Sequence, residues 1–325
     1  MVWKIIAIVV SAIIFIYLMG LLPSSACIYN AAIKRYVSKK PRKARKKQKE
    51  APTSRVAALW KDAINEIKQN KADLLDGPHE VITILGIRDL KLNGYLVKAR
   101  PNNDKIIILS HGWHSNGLND YGLIGTFFTE AGYDLLIIDH MGQGSSEGDY
   151  IGFGVLDHLN LEKWIEYVDN LPNHYKIFVH GVSMGASTAL YLNQTNLPTS
   201  VKAIIADCGY TSAWDEFRYM YKKITHVTLH LPIMALRFYI QRKAHYDIKS
   251  ISSLDLLKKS RIPVLFIHGD ADTFVPLWMT KKNYEVCASP KEILIVKGAP
   301  HGLSHFVAPE VYNQKVLEFI KKWEH

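Results

Sequence analysis

The sequence predicts an α/β fold in which a mostly parallel sheet carries helices on both faces. Three observations point to it. From about residue 78 onward, short apolar runs alternate with stretches of helical periodicity, the order that strand–helix–strand crossovers require. The residues with the most obvious chemistry fall in the loops that leave those runs, the carboxyl edge where open α/β sheets place their ligands. About 250 residues remain once the first 77 are set aside, enough for one such domain with its own core.

The elements follow in order. Ile5 to Leu22 carry no charge, and eighteen helical residues span about 27 Å, close to the hydrocarbon thickness of a bilayer. Only Lys4 and the amino terminus supply a basic flank, and Ser24 stands where a lipoprotein signal would place leucine before Cys27. An uncleaved anchor over residues 1–26 is therefore expected rather than a cleaved signal. Residues 27–77 read as a polybasic juxtamembrane linker with a short amphipathic helix around Ala57 to Gln69. The domain of residues 78–325 opens with strand patterns at Val81 to Leu85 and Leu92 to Lys98. A strand at Lys105 to Leu109, a helix from Leu118 to Ala131, a strand at Leu135 to Ile138 and a helix from Asp157 to Asn170 come next. Strands at Lys176 to His180 and Val201 to Ala206 flank another helix, and strands ending at His268 and Val296 precede a final helix near Val311 to Trp323. One stretch breaks the alternation. Residues 208–260 are far longer than an ordinary connection and carry Trp214, Phe217, Tyr219, Met220, Tyr221, Phe238 and Tyr239, so they are expected to form a cap of two or three helices over the sheet's reactive edge.

Charge is concentrated at one place. Ten cations from Lys34 to Lys49 have no acid between them, and the chain's 40 Lys and Arg against 30 Asp and Glu become 30 against 30 without them. Such a block beside an apolar span is drawn to anionic headgroups. With no aromatic residue interleaved beyond Tyr36, it does not resemble a nucleic-acid surface. Cations after the span place that side in the cytoplasm by the usual rule. Cys27, Cys208 and Cys287 are too few for a disulfide framework.

Ser183 lies in Gly181-Val182-Ser183-Met184-Gly185, after an apolar run and before a helix-compatible stretch. This is G-x-S-x-G in the strand–turn–helix context that exposes a serine hydroxyl at the top of a sheet. A serine needs an imidazole to take its proton and a carboxylate to hold the imidazole. Downstream of the apolar run ending at His268, both Asp270 and Asp272 qualify as the acid. Beyond the following run, His301 is the candidate base, with His305 a second histidine close by. Backbone N–H groups of Met184 and Trp113 are placed to hold an oxyanion. His111 and His114 lack a third ligand at metal-binding spacing, so neither metal nor cofactor is expected.

His111-Gly112, Asp139 to Ser145, Gly181 to Gly185, His268 to Pro276 and Gly298 to His301 resemble the successive signatures of the α/β-hydrolase superfamily. The stretch Asp207 to Ser212 further resembles bacterial membrane-anchored cell surface hydrolases, related to the prolyl-oligopeptidase and monoglyceride-lipase branches. The resemblance covers roughly residues 78–325. It implies Asp272 as the acid, His301 as the base, and a hydrolase domain outside the cell, in opposition to the basic flank. It also implies an arginine after Asp139-His140, where this chain has Met141. The expected activity is that of a serine hydrolase acting on the ester of a small, amphiphilic acyl substrate, since a chain of this size lacks the propeller with which related oligopeptidases filter peptides. A small-peptide hydrolase, an acyltransferase and a non-enzymatic binding protein derived from a hydrolase are the alternatives.

Overall fold

A computed structural model of the protein describes residues 23–35, 55–122, 124–194, 197–228 and 231–325. The apolar run from Ile5 to Leu22 and the basic block after Arg35 lie outside the described residues. Among the described residues, no helix is long and apolar enough to cross a membrane.

The strands are β1 (His79–Leu85), β2 (Lys91–Val97), β3 (Lys105–Ser110), β4 (Asp134–Ile138), β5 (Lys176–Val182), β6 (Val201–Asp207), β7 (Val264–Gly269) and β8 (Lys291–Val296). They form one sheet in the order β1-β2-β4-β3-β5-β6-β7-β8. β2 is antiparallel to both β1 and β4, and all later pairings are parallel. The central strands are continuous apolar runs because both of their faces are covered. In β3, Ile106 and Ile108 enter one core while Ile107 and Leu109 enter the other, the period of two that a pleated strand imposes.

Helices α1 (residues 23–32), α5 (Asp157–Asp169) and α6 (Met184–Tyr191) cover the first face, and α2 (Arg55–Asp76), α3 (Gly117–Tyr121), α4 (Gly125–Glu130) and α12 (Pro309–Trp323) the second. The single helix expected from Leu118 to Ala131 is thus two short ones, divided where α2 packs across both. Between β6 and β7 lie α7 (Ala213–Thr225), α8 (Leu231–Ala244) and α9 (Ser253–Leu257). α10 (Leu277–Val286) and α11 (Ser304–Val307) follow β7 and β8. Ser212 caps α7 by accepting from the Asp215 N–H, and His226 ends it in the left-handed conformation.

The start of the segment read as linker is part of this domain. Tyr29 and Ile33, one helical turn apart, are buried in the first core, and Tyr29 meets Tyr239 of α8 edge-on at 5.2 Å. The chain then joins the loop after β4: the Ile151 N–H donates to the Ile33 carbonyl at 2.7 Å, and the Arg35 N–H to that of Asp149 at 2.8 Å. The Arg35 guanidinium donates to the carbonyls of Ser146 (2.7 Å), Gly144 (3.2 Å) and Gly148 (3.3 Å). Met141 itself is wholly buried among apolar neighbours. A guanidinium therefore does serve this loop, and it comes from the second residue of the basic block rather than from the loop itself.

Candidate active site

The turn from β5 into α6 is built by close approach. A Cβ on Gly181 would sit 2.3 Å from the Gly185 carbonyl oxygen, and one on Gly185 would sit 1.9 Å from that of Ser110. Only glycine fits at either place. Ser183 between them is held at φ 56°, ψ −117°, a region that costs a non-glycine residue about 1–3 kcal/mol and persists only where its surroundings fix it. They do: its N–H donates to the Asp207 carbonyl at 2.8 Å, and its own carbonyl accepts from Ser187 at 3.1 Å.

From that perch the Ser183 hydroxyl donates to His301 Nε2 at 2.8 Å, and His301 Nδ1–H donates to Asp272 Oδ2 at 2.6 Å. The three residues come from loops after β5, β7 and β8, so the sheet brings together positions widely separated in the chain. Asp272 Oδ1 accepts from the N–H groups of Phe274 (2.8 Å) and Val275 (3.0 Å). Burial pulls its carboxyl upward, but hydrogen bonds from His268 and His301 outweigh this and hold it at about 2. Asp270 instead accepts from the Gly298 N–H at 2.6 Å, closing an exposed turn. His305 stands edge-on to Tyr312 at 5.3 Å, and burial lowers it to about 4. Neither belongs to the Ser183–His301–Asp272 line.

Met184 opens α6, whose first hydrogen bond runs from Ser187 to Ser183, so the Met184 N–H has no carbonyl partner within the helix. Trp113 follows Gly112, whose N–H donates to Asp120 Oδ2 at 2.7 Å. Asp120 also accepts from the Ser115 hydroxyl. The Trp113 indole N–H donates to the Ala32 carbonyl at the end of α1, at 2.7 Å. One side of the loop is thus held by α3, and the other by the N-terminal segment.

Beneath the site lies a polar chain that sequence reasoning did not find. Asp207 accepts from Ser304 (3.2 Å) and Tyr312 (3.1 Å), and the Tyr312 hydroxyl also meets His180 Nε2 at 2.8 Å. Burial drives His180 down to about 3 and raises Asp207. His268, quoted only as part of a motif, places Nε2 3.3 Å from Asp272 Oδ2. Ligand atoms of Cys208, Asp272 and His301 lie within 4.8 Å of one another. Burial, Asp207 and Asp272 push the Cys208 thiol well up.

Two cavities meet at Trp113 and Phe274. One of about 220 Å³ contains Ser183 and His301, with Trp60 and Ile67 of α2 as its far wall. The other, about 690 Å³, is lined by Ser24, Ile28 and Ala32 of α1 and by Phe217, Met220 and Ile224 of α7, among others. Glu216 also lines it, 2% exposed and with neither carboxyl oxygen hydrogen-bonded. Burial, followed by Asp272, raises this carboxyl well above its ordinary range. A glutamate on the apolar stripe of an amphipathic helix was the visible signal.

The sheet order, the strained serine turn and the serine–histidine–carboxylate line define an α/β-hydrolase fold. A family model for the alpha/beta hydrolase fold matches residues 105–226. An uncharacterized Bacillus subtilis protein, YqkD, is 28% identical over 230 residues, 70% of this chain and 75% of its own. A lysophosphatidylserine lipase of Danio rerio, ABHD12, is 26% identical over 60% of this chain and 50% of its own. Among solved structures, the Pyrococcus furiosus esterase Pf2001 aligns with a TM-score of 0.63 at 24% identity, over 78% of this chain and 95% of that one.

Proposed function

We propose that the protein is a membrane-anchored serine hydrolase that cleaves carboxylic esters through an acyl-enzyme on Ser183. The observation that carries this reading is the unbroken hydrogen-bonded line from Ser183 Oγ through His301 to Asp272, opening into a cavity. His301 Nε2 takes the hydroxyl proton as Oγ attacks the acyl carbonyl, and the same nitrogen protonates the departing alcohol. Asp272, ionised down to about pH 2, keeps Nδ1 protonated and stabilises the imidazolium. The Met184 and Trp113 amides hold the tetrahedral oxyanion, and water activated by His301 then releases the acid. No cofactor enters these steps. An ester is favoured over a peptide by the apolar cavity beside the serine and by esterase and lipase names among the similar proteins. The anchor rests on the charge-free run from Ile5 to Leu22.

The test is labelling by a fluorophosphonate probe together with hydrolysis of a short aryl ester. Ser183→Ala is expected to abolish labelling and to lower turnover by about a millionfold. Undiminished hydrolysis by that variant rejects the mechanism. A folded wild type that neither labels nor hydrolyses identifies a binding protein instead.

A further inference from the structure

The loop that carries the Trp113 N–H is tied at two places. Gly112 brings it directly beside the nucleophile: a Cβ at that position would stand 3.4 Å from Ser183 Cβ. The turn that follows is not one a chain adopts unaided, because His114 sits at φ 54°, a left-handed conformation uncommon for a residue with a Cβ. Gly112 and Ser115 are tied to Asp120 on α3. Trp113 and His114, between them, are tied to α1. The indole N–H donates to the Ala32 carbonyl at 2.7 Å, and the two rings lie 4.2 Å apart. Burial lowers the His114 imidazole, and the same Ala32 carbonyl draws it partly back up.

Ala32 is the last residue of α1, and the carbonyls of a helix's last turn have no partner within the helix. The indole takes one that the helix end leaves open. That carbonyl is firmly placed. Tyr29, in the turn before it, and Ile33, directly after it, are buried in the first core. The Ile33 carbonyl then accepts from the Ile151 N–H at 2.7 Å, and Lys34 pairs with Tyr150 as an antiparallel bridge. On its other side the Trp113 ring stacks on Phe274 at 6.0 Å, and Phe274 meets the His301 ring at 5.0 Å. One carbonyl of α1 thus bears on the oxyanion donor through the Trp113 backbone, and on the base through the Phe274 ring. A hydrolase domain drawn from residue 78, as the motifs alone would draw it, leaves this helix out.

We propose that residues 23–35 are a positioning element of the Ser183 reaction, in which the Ala32 carbonyl, through the Trp113 indole, holds the Trp113 N–H where the oxyanion forms. Ala32 is a positioning residue, and Tyr29 and Ile33 are what keep it in place. The dependence falls on the transition state rather than on substrate binding, since the oxyanion exists only there. The proposal rests on the serine-hydrolase reading above and adds to it a requirement for the N-terminal segment.

The experiment uses the full chain in detergent with p-nitrophenyl acetate, each variant assayed well below its own Tm. Trp113→Phe keeps a ring and the backbone N–H and removes the indole donor. It is expected to lower kcat by about ten- to a hundredfold with KM within about threefold of the wild type. A trifluoromethyl ketone, which binds as the oxyanion of a hemiketal, should bind more weakly by about the same factor as kcat falls. Ile33→Asp puts a charge into the core and so lifts α1 from its seat. It should lower kcat by a similar factor, although Ile33 does not line the cavity that holds Ser183. Tyr29→Ala is the milder change that keeps the test standing if Ile33→Asp does not fold. Added to Trp113→Phe, either α1 change should cost less than about a further twofold, because the bond through which it acts is already gone. A wild-type kcat in the Trp113 variant or in the folded α1 variants overturns the proposal, as do losses that multiply in the combined variant. If that happens while the wild type labels at Ser183 and hydrolyses acetate, only this inference fails. If the wild type neither labels nor hydrolyses acetate, the serine-hydrolase reading fails with it.

Discussion

Ser183, His301 and Asp272 each occupy a place that the sequence marked by position on a strand-leaving loop, but the choice between neighbours lay beyond spacing alone. Asp270 and Asp272 both leave β7. The family motif singled out Asp272, and the structure gives the physical difference: Asp270 accepts from the Gly298 N–H while Asp272 faces His301. His301 and His305 separate in the same way, through the short α11 that carries His305 away against Tyr312. We therefore expect His301→Ala to lower kcat by about four or more orders of magnitude, and Asp272→Asn by about as much, through loss of the tautomer that lets Nε2 accept. His305→Ala and Asp270→Asn should stay within about tenfold of the wild type. The measurement is kcat for the four variants on one short aryl ester, and a His305 variant as inactive as the His301 variant would overturn the assignment of the base. His268 was illegible for a different reason: being the buried partner of a carboxylate is a property of surroundings that only the fold creates.

Among the elements, the central strands were plain in the sequence because burial on both faces makes them continuous apolar runs, and the helical insertion between β6 and β7 was plain because its length broke the alternation. α1 was not. Its Tyr29, with Ile33 just beyond its end, lies between a charge-free run and a cation block, two composition signals strong enough to hide two core residues. The consequence is sharpest at Arg35, which composition assigned to a headgroup-binding block and the fold assigns to three loop carbonyls. Arg35→Ala should lower the stability of the full chain by about 1.5–3 kcal/mol, the range for hydrogen bonds to a charged group. Arg35→Lys should recover less than half of that, since one ammonium cannot reproduce a planar fork over three acceptors. Thermal unfolding in detergent measures both. An alanine variant as stable as the wild type would mean that the loop holds its shape without the guanidinium.

For the molecule as a whole, burial of ionisable groups sets how stability depends on pH. His180, held at about 3, and His305, at about 4, are neutral in the native protein where the unfolded chain would take up protons near 6.5. Their contribution is present above that value and is lost as pH falls. Asp157, which burial raises to about 7 beside His140 Nδ1 at 3.7 Å, has the opposite sign. It is protonated in the native state and ionised when unfolded, so its contribution is present at low pH and lost as pH rises from about 4 to about 7. Between pH 5 and 7 the two effects oppose each other. Asp157→Asn should remove the second and leave the first, so that its Tm falls more steeply than that of the wild type between pH 7 and pH 5, by up to about 1.4 kcal/mol of stability per pH unit. Equal slopes for the two proteins would show that Asp157 is ionised in the native state.

The contact between Tyr29 and Tyr239 also orders events during biosynthesis. The two rings are separated by roughly 210 positions, and closing so long a loop delays any contact that depends on it. At about 5–20 residues per second of translation, α1 emerges about ten to forty seconds before the cap helix that completes its burial. Through that interval the cavity lacks its α7 wall, and Tyr29 lacks the ring against which it packs. The first of the described helices to leave the ribosome is thus among the last to be enclosed, and the nascent chain acquires its reactive pocket only after most of the sheet has been made.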